Sequence, residues 1–373
     1  MKDGTNNSSA AWQLAAADSK RYCNELAKSV PAWLQQNGPH SNIVLSTRIR
    51  LARNLANYPF PSIADNKDLN SVNNEVWEVL SESQLLPAPH FIDMARLLRL
   101  DREILVERRL ASPQFIERKG PSMLALTPDE SLSIMINEED HLRLQAIQPG
   151  LAIAAAWDAI SKLDDRLSEN LEYAFSERFG YLTACPTNTG TGIRVSILMH
   201  LPAVVMLDEV EEIMKSLASR GMTMRGFYGE GTDANGNMFQ ISNQLTLGKT
   251  EAEVMSEVEK IVEEIKGFEH LCRSRIILDK GNFMLDQIWR AYGMLRYARV
   301  LNSKEFLNLL SMMRLARDCN EKEMKQWPLA LLNELMVMMQ PAHLRKAFKS
   351  VRLAHERDTL RAELVRVKLS LQS

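Results

Sequence analysis

The sequence predicts an α+β protein in two parts: mixed helices and strands up to about residue 272, then an all-helical region. Two observations predict this division. Between residues 122 and 247, short apolar runs bounded by turn residues are typical of strands. After Asn282 the chain is rich in Leu and Met and is predicted to be helical over 283–300, 303–317, 328–339 and 341–370.

The first 120 residues are predicted to be mostly helical. Residues 1–10 are polar and are predicted to be disordered, and residues 11–36 suit one or two short helices that end near Gly38-Pro39. The spacing of apolar side chains predicts helices over 66–86 and 91–111.

The region from residue 122 to residue 272 is predicted to alternate between strands and helices. The apolar runs on either side of Thr127-Pro128-Asp129-Glu130 predict a hairpin that brings residues 137–139 to the end of a strand. Thr250 and Glu253 have the spacing of a capping box, which predicts a helix from there to about residue 265. Further helices are predicted at 150–178 and 208–219, and strands at 193–199, 222–228 and 238–247.

The bulk properties limit the function classes. A length of 373 residues predicts two or three domains. The net charge of −2 gives no overall positive field, so we expect no nucleic-acid or membrane partner. The four cysteines lie far apart without a C-x-x-C pair, which predicts free thiols in a reducing compartment. No signal peptide and no run of about 18 apolar residues is evident, so we expect a cytoplasmic protein.

Three familiar nucleotide or metal motifs fail here. Gly248-Lys249-Thr250 resembles the end of a P-loop, but Asn243 stands where that motif requires glycine. Gly229-x-Gly231-x-x-Ala234 is followed by a predicted strand, whereas a dinucleotide fingerprint is followed by a helix. The sequence lacks H-E-x-x-H and paired Cys/His spacings, so no metal ligands are predicted among the side chains.

Arginines recur beside turns or strand ends. A single arginine of this kind is usually solvated or ion-paired. Several in one pocket would repel one another unless an anion were bound, and a triphosphate with Mg²⁺ suits such a pocket because guanidinium forks match phosphate oxygens. The arginines are Arg48, Arg50, Arg143, Arg194 and Arg225.

Two glutamates and a cysteine complete a phosphoryl-transfer hypothesis. A guanidinium has a pKa above about 12, so a nucleophilic guanidino nitrogen needs a carboxylate that removes its proton. A second carboxylate would fix the planar fork. Glu139 and Glu230 are the candidates, although solvated strand-end glutamates are the common alternative. Cys185, before a proline and a glycine-rich turn, is either a reactive thiol or a small buried side chain.

The segments that carry these residues resemble the ATP:guanido phosphotransferase (phosphagen kinase) family. They are residues 46–50, 137–143, 185–194 and 225–231. Within that family, the sequences at 45–61, 131–145 and 228–251 and the helical tail are similar to the bacterial protein arginine kinases of the McsB type.

The resemblance covers the chain from about residue 42 to its end. It implies an antiparallel β-sheet flanked by helices (a guanido kinase or glutamine-synthetase-like catalytic domain), followed by a helical domain. It further implies Mg²⁺ with ATP as donor and arginine side chains of proteins as acceptors. The domains would be an N-terminal extension at 1–41, a catalytic domain at 42–272 and a helical regulatory or dimerisation domain at 273–373.

The resemblance also assigns roles to individual residues. Glu139 matches the catalytic base, Glu230 the second guanidinium-binding carboxylate and Cys185 the reactive cysteine. Arg109 stands where the family usually has a nucleotide-contacting histidine, so we include it as an ATP contact whose role stays open. The other implied ATP contacts are Ser46, Thr47, Arg48, Ile49, Arg50, Arg143, Arg194, Val195, Ser196, Ile197, Leu198, Arg225, Gly226, Phe227, Tyr228 and Gly229.

A motif near the C-terminus resembles the R-D-x-x-R-A sequence with which this kinase type binds phosphoarginine allosterically. It comprises Arg357, Asp358, Arg361 and Ala362. Arg357 and Arg361 are i,i+4 neighbours on one helix face, so they could hold a phosphate while Asp358 holds a guanidinium. Alone, the pattern is more typical of a solvated, ion-paired helix face.

The resemblance implies a role in stress response and protein quality control. The expected partners are arginine-bearing protein substrates such as a heat-shock repressor, a Clp-type protease, an activator protein and a second copy of the chain. One alternative is a small-molecule phosphagen kinase acting on free arginine, although the helical tail of about 100 residues and the short region before Arg48 argue against it. The other is a non-catalytic adaptor that only binds phosphoarginine.

Overall fold

The computed structural model describes residues 12–14, 16–35, 38–82, 86–227, 234–318 and 327–370. Its central element is an eight-stranded sheet with the order β2-β3-β4-β5-β1-β8-β10-β9, in which all neighbouring strands are antiparallel. The antiparallel sheet that the sequence predicted is confirmed. The strands, with the separate hairpin β6–β7, are β1 (Val44–Arg53), β2 (His90–Asp93), β3 (Met123–Leu126), β4 (Leu132–Ile136), β5 (Leu142–Pro149), β6 (Phe175–Ser176), β7 (Gly180–Tyr181), β8 (Ile193–His200), β9 (Met222–Gly226) and β10 (Met238–Asn243).

Helices flank the sheet and form the C-terminal part of the chain. Up to residue 250 they are α1 (Ser19–Leu26), α2 (Ala32–Gln35), α3 (Asn66–Glu82), α4 (Arg99–Glu107), α5 (Pro113–Glu117), α6 (Ile153–Ser168), α7 (Pro202–Met206) and α8 (Val210–Ser219). After it they are α9 (Glu251–Tyr297), α10 (Ser303–Leu315), α11 (Leu329–Met338), α12 (Pro341–Ala347) and α13 (Ala354–Ser370). Among the residues described here, no helix is long and apolar enough to cross a membrane.

The central strand β1 divides its side chains between the two faces of the sheet. Arg50 lies opposite Gln145 of β5 on one side and opposite Arg194 of β8 on the other. Because successive side chains of a strand point to opposite faces, Ser46, Arg48 and Arg50 project to the same face. We call it the arginine face.

The opposite face of the sheet is the apolar core. Ile49 and Val195 are completely buried there. Thr47 Oγ1 donates a hydrogen bond to the carbonyl oxygen of Gly150 at 2.7 Å and accepts one from the amide of Ala152, just before α6. Because α6 packs on β1 and β5, and α9 on β8 and β10, polar ligand chemistry is left to the arginine face.

The segment predicted as an N-terminal extension packs tightly on the rest of the molecule. The buried guanidinium of Arg108 donates to the carbonyl oxygens of Leu26 at 2.8 Å and Ser29 at 2.7 Å, and it pairs with Glu130. Trp33 is also buried. The residues of this segment that the structure describes therefore belong to the same body as the sheet.

Two local predictions are confirmed by the strand pairing and the helix caps. β3 and β4 pair as the predicted hairpin, with Met123 opposite Ile136, and residues 137–141 follow as a tight turn. Thr250 accepts a hydrogen bond from the amide of Glu253, whose side chain accepts one from the amide of Thr250, so the capping box is present.

Several predicted helix boundaries are wrong: the helix predicted at 150–178, for example, ends at Ser168, and strand β6 follows at Phe175–Ser176. Residues 90–93 form an edge strand rather than the start of a helix, because their backbone groups pair with β3. The helix that opens after Thr250 continues to Tyr297, well past residue 265, so the domain boundary predicted at about residue 272 falls inside it. The predicted helix 341–370 is two helices, α12 and α13, which residues 348–353 separate. Tertiary packing determines where these helices begin and end, because local helix propensity alone is a weak predictor of helix boundaries.

Candidate functional site

A cavity of about 1290 Å³ lies on the arginine face. Strands β1, β5, β8, β9 and β10, the turn after α4 and the loop before β8 all contribute to its wall. It brings together residues that are far apart in the sequence, from Arg48 to Gln340. The predicted site residues among its lining are Arg48, Arg50, Arg109, Glu139, Arg143, Cys185, Arg194, Arg225, Gly226 and Phe227.

The strand register explains why the arginines converge. Arg50 lies opposite Arg194, and Arg225 lies opposite Gln240, which is on the strand next to β8. Arg143 is two residues from the partner of Arg50 on β5 and so points to the same face. Adjacent antiparallel strands therefore present a continuous patch of cations.

The buried arginines carry an electrostatic cost in the absence of an anion. Burial, followed by the charges of neighbouring arginines, lowers the pKa of Arg48 and of Arg50 well below the ordinary guanidinium value. Burial and the charges of Arg143 and Arg225 also lower the pKa of Arg194. Within the described residues, the buried Nε atoms of Arg48, Arg50 and Arg194 have no hydrogen-bond partner. These unpaired donors fit the polyphosphate of a nucleotide.

Arg109 lines the same cavity through an unusual backbone conformation. Its φ of 67° is in the left-handed region, and Gln145 Nε2 donates to its carbonyl oxygen at 2.8 Å. The guanidinium donates to Ser46 Oγ at 2.6 Å and lies 4.9 Å from the ring centroid of Phe227. A left-handed non-glycine residue of this size persists only where its surroundings hold it, which is common at functional sites.

Glu138 is buried in the cavity wall as the partner of Arg143. Its carboxylate accepts from Arg143 Nη1 at 2.8 Å and from the hydroxyl of Ser112. Burial alone would raise the pKa of Glu138, but Arg143 and these hydrogen bonds outweigh it and hold the pKa below its ordinary value. Glu138 therefore stays ionised and orients Arg143.

Glu139 differs from its neighbour because 45% of its side chain is exposed at the cavity. Burial of the rest, followed by the charge of Asp140, raises the pKa of Glu139. Arg143, 3.9 Å away, and a hydrogen bond with Cys185 oppose that rise. Cys185 Sγ also lies 3.0 Å from Thr187 Oγ1. The structure thus places the predicted base and the predicted cysteine close together in the wall of one cavity.

Asp140 joins the two motif segments that meet at the cavity. Its Oδ1 accepts from Asn54 Nδ2 at 2.6 Å and from the amide of Ala184 at 2.7 Å. The loop after Cys185 then returns to β8 through Gly192, whose φ is 66° and where a Cβ would lie 2.6 Å from the carbonyl oxygen of Ala52. Glycine is therefore required where the loop enters β8.

His141, in the same motif, is part of the scaffold. Its Nδ1 accepts a hydrogen bond from the amide of Leu55, and its Nε2 lies 3.0 Å from the carbonyl oxygen of Pro59. Burial lowers the pKa of His141 to about 4, so the ring is neutral near pH 7. It holds the loop after β1 against the turn that carries Glu139.

Comparison with known proteins assigns this architecture. Residues 71–271 match the model of the ATP:guanido phosphotransferase C-terminal catalytic domain, and residues 281–373 match that of the protein-arginine kinase McsB C-terminal domain. The chain is 39% identical over 341 residues to the protein-arginine kinase of Desulforamulus reducens, covering 91% of this chain and 95% of that one. It is 40% identical over 352 residues to that of Geobacillus stearothermophilus, covering 92% and 95%. The chain belongs to the ATP:guanido phosphotransferase family, among the protein-arginine kinases.

Solved structures of the family share the fold of this kinase. The duplicated taurocyamine kinase from Schistosoma mansoni gives a TM-score of 0.57 at 22% identity, over 67% of this chain and 38% of that chain. Lombricine kinase gives 0.55 at 22% identity, over 72% of this chain and 78% of that one. At this identity the likeness concerns the fold alone.

Five of the predicted ATP contacts do not reach the cavity of the kinase with their side chains. Thr47, Ile49, Val195 and Ile197 point to the opposite face, where they are buried in the core, because strand neighbours alternate in direction. Leu198 is completely buried as well. The expectation that these side chains line the site is therefore corrected.

Two serines of the predicted set lie under the cavity rather than along its wall. Ser46 is buried and bonds Arg109, and Ser196 is buried opposite Arg48. Tyr228, Gly229 and Glu230 lie outside the described residues, and so does Cys319.

The C-terminal motif of the kinase has a different arrangement from the predicted one. Arg361 is completely buried, and its Nε donates to the carbonyl oxygen of Met339 at 2.9 Å. Its two terminal nitrogens donate to Leu301 O, Asp358 Oδ1 and Ser303 Oγ at 2.6, 2.7 and 2.9 Å. The expectation that Arg361 is available to bind a phosphate is corrected. Its donors are already used to hold α13 against the end of α11 and the start of α10.

Arg357 is the more accessible arginine of that motif. It is half-buried, and its Nη1 donates to the carbonyl oxygen of Arg352 at 3.2 Å. Asp358 is held by Arg361, and Ala362 is buried. Arg357 therefore remains the candidate phosphate contact on α13.

Sequence reasoning missed several cavity residues. Gln240 lines the cavity and accepts from Arg48 Nη2 at 2.9 Å, and buried Ser242 beneath it accepts from Arg194 Nη2 at 3.1 Å. Both are on β10, whose register with β8 no local motif indicates. Glu138 could have been found, since it adjoins Glu139 and lies five residues before Arg143, a spacing that the turn closes into an ion pair. Glu107 and Gln340 also line the cavity and had no signal.

Proposed function

We propose that this kinase transfers the γ-phosphoryl group of ATP to arginine side chains of proteins, which gives N-phosphoarginine. Arginine phosphorylation by ATP follows from membership of the family; the choice of protein acceptors is the finer step. The observation that supports the proposal is one cavity in which buried arginines with unpaired Nε donors lie near a partly exposed carboxylate and a thiol.

The arginine face supplies the donor half of the site. Arg48, Arg50 and Arg194 offer buried guanidinium donors, and a polyphosphate bound there would relieve their mutual repulsion. As the phosphoryl group transfers, these fixed charges stabilise the negative charge on its oxygens and on the leaving diphosphate.

The carboxylate side supplies the acceptor half. A new bond forms between the guanidino nitrogen and the γ-phosphorus while the bond from that phosphorus to the β–γ bridging oxygen breaks. Glu139 accepts the proton that the nitrogen loses. We assign Cys185 to hold Glu139 and the incoming guanidinium in place, and Glu230, by resemblance alone, to fix the guanidinium fork.

Mg²⁺ would be held mainly by the nucleotide. In the part of the chain that the structure describes, no group of three or more His, Cys, Asp or Glu side chains could hold a metal ion. A bound Mg²⁺ would bridge phosphate oxygens and neutralise part of their charge. The cationic arginine face is consistent with an ion that enters with ATP.

Mass spectrometry tests the acceptor class. We expect incubation with Mg·ATP and a basic protein to give acid-labile phosphoarginine on the protein, with free arginine a much poorer acceptor. Phosphorylation of free arginine alone would support the small-molecule kinase instead. Absence of transfer to any guanidine, with phosphoarginine still bound, would support the non-catalytic adaptor.

We also propose that phosphoarginine binds at the C-terminal motif and activates the kinase. Arg357 is the candidate phosphate contact because its guanidinium is partly exposed, whereas Arg361 is used internally. We expect Arg357→Ala to abolish the response to added phosphoarginine with little change in basal activity, measured by calorimetric binding and by initial rates. Exposed Arg352, which offers only its backbone carbonyl to Arg357, provides the matched control Arg352→Ala. Binding unchanged by Arg357→Ala would rule this site out.

The cellular setting is proposed from the resemblance. It comprises cytoplasmic location, a role in stress response, delivery of marked proteins to a Clp-type protease, a heat-shock repressor among the substrates, an activator protein and assembly as a dimer or higher oligomer. Size-exclusion chromatography with light scattering tests the last of these directly.

A further inference from the structure

Three consecutive residues at the C-terminal end of α4 connect three parts of the molecule. Glu107 contacts α12 of the C-terminal region, Arg108 contacts the N-terminal segment, and Arg109 reaches the cavity. We call residues 107–109 the junction. None of its roles is part of the phosphoryl transfer described above.

Glu107 binds the start of α12 with three hydrogen bonds. Its carboxylate accepts from the amides of Ala342 at 2.8 Å and His343 at 3.0 Å. The ring Nδ1 of His343 lies 2.6 Å from the same carboxylate. A helix start has unpaired amides, so one carboxylate here caps α12 and fixes its first turn.

Further ion pairs hold α4 and α12 together. Asp101, whose carboxylate is buried, pairs with Lys346, and the partly exposed Glu103 lies 3.6 Å from Arg345. The contact is therefore a charged interface between an acidic helix of the catalytic region and a basic helix of the C-terminal region.

The same junction sets the position of Arg109. The amide of Arg109 donates to Val106 O at 2.9 Å, so its left-handed turn is built directly on the end of α4. The buried ion pair of Arg108 with Glu130 fixes the residue between. A shift of the end of α4 must therefore move the guanidinium of Arg109, which lines the cavity and bonds the buried Ser46.

The C-terminal region reaches the cavity at the same place. Gln340, the residue before α12, lines the cavity, and the carbonyl oxygen of Met339 accepts from Arg361 of the C-terminal motif. Residues 339–343 thus lie between Arg361 on one side and Glu107 on the other.

We propose that Glu107 is a positioning residue for nucleotide binding, which places Arg109 through its hold on α12. The C-terminal helices are then a structural part of the nucleotide site, and residues 339–343 connect it to the motif at 357–362. This proposal rests on the proposed function only in that ATP occupies the arginine face.

The direction in which KM for Mg·ATP changes distinguishes a positioning role of Glu107 from a direct electrostatic effect of its charge on the nucleotide. Glu107 lines the cavity, so loss of its negative charge would by electrostatics alone favour a bound polyanion and lower KM for Mg·ATP. Positioning predicts the reverse. We expect Glu107→Gln to raise KM for Mg·ATP by roughly three- to tenfold with kcat changed less, because the amide cannot accept all three hydrogen bonds.

His343 gives an independent variant, since it is buried and is not among the residues that line the cavity. We expect His343→Ala to raise KM for Mg·ATP in the same direction and the double variant with Glu107→Gln to be non-additive. The matched control is Glu103→Gln, which removes a partly exposed carboxylate that pairs with Arg345 of α12 and with Arg99 of α4, and it should leave both constants unchanged.

Initial rates at varied ATP and thermal unfolding with and without Mg·ATP give the readouts. If Glu107→Gln lowered the unfolding temperature but left KM unchanged, Glu107 would have a merely structural role. If it lowered KM, the charge of Glu107 would act on the nucleotide directly. Either result overturns the proposal. The nucleotide-induced shift of the unfolding temperature measures ATP binding without relying on catalysis. The positioning role of Glu107 can therefore be refuted while the wild-type protein still phosphorylates protein arginines. If the wild-type protein phosphorylated no guanidine at all, the proposed function would be refuted instead.

Discussion

Replacement of Glu139 by glutamine is expected to lower kcat by about 10²–10⁴-fold while the protein stays folded. The glutamine keeps the shape of the side chain at the cavity but cannot accept a proton from the guanidino nitrogen. Because Glu139 is partly exposed and pairs only distantly with Arg143, its loss should leave the fold intact.

The matched control is Glu117→Gln. Glu117 is another carboxylate of the cavity lining, and its ion-pair partner is Arg99, outside the arginine face. The change removes the same charge, and we expect kcat to change less than about twofold. If both variants lost activity equally, or if Glu139→Gln retained the wild-type rate, the base assignment would be wrong.

The pH profile gives a sharper test of the same group. Burial and the charge of Asp140 raise the pKa of Glu139, so the carboxylate becomes protonated at a higher pH than an ordinary glutamate near 4.5. The active form is ionised; kcat/KM should therefore fall as the pH decreases through this raised pKa. The limb should disappear in Glu139→Gln.

Cys185 should shift this limb. Its hydrogen bond favours the ionised form of Glu139 and so opposes the rise of the pKa. Cys185→Ala is therefore expected to move the acid limb of kcat/KM to higher pH, in addition to any loss of rate. A limb that stays in place would mean that the thiol does not contact the base during catalysis.

The sequence could identify the site segments but not how the strands arrange them. The motif around Glu139 and the hairpin before it were predictable because a turn and two alternating runs are local features. The contact between Arg48 and Gln240, residues 192 positions apart, depends on the register of three strands, which no short motif encodes. Strand direction also explains why Thr47 and Val195 were misplaced: adjacent residues of a motif point to opposite faces.

The C-terminal motif shows a second limit of sequence reasoning. The i,i+4 spacing of Arg357 and Arg361 correctly places them on one helix, but it cannot tell which face is buried. In the structure, Arg361 donates hydrogen bonds to the carbonyl oxygens of Leu301, just before α10, and of Met339, just after α11. Contacts of this kind depend on tertiary packing, which also decided the length of α9.

Arg50 is expected to show opposite effects on activity and on stability. Its guanidinium makes no hydrogen bond within the described residues, and burial with the charges of Arg143 and Arg194 lowers its pKa. Arg50→Met removes a cation that a bound phosphate would use, so kcat/KM should fall by about 10²–10³-fold. In the absence of nucleotide, loss of the repulsion should leave the free energy of unfolding unchanged or raise it by about 0.5–2 kcal/mol.

Arg53, on the same strand, provides the contrasting variant. Its guanidinium pairs with buried Asp164 at 2.7 Å and donates to Thr191 O at 3.0 Å, on the side of the sheet away from the cavity. Arg53→Met leaves Asp164 buried without its partner, and we expect a loss of about 3–5 kcal/mol in the free energy of unfolding.

Urea unfolding of both variants, with and without Mg·ATP, measures the difference. Ligand binding stabilises the folded state by mass action, so the gain from Mg·ATP should be large in the wild type and nearly absent in Arg50→Met. Equal destabilisation of the two variants without nucleotide would show that Arg50 serves the fold. Opposite signs would show that the arginine face is arranged for an anion at the expense of stability, because the buried Nε donors of Arg48, Arg50 and Arg194 have no partner among the described residues.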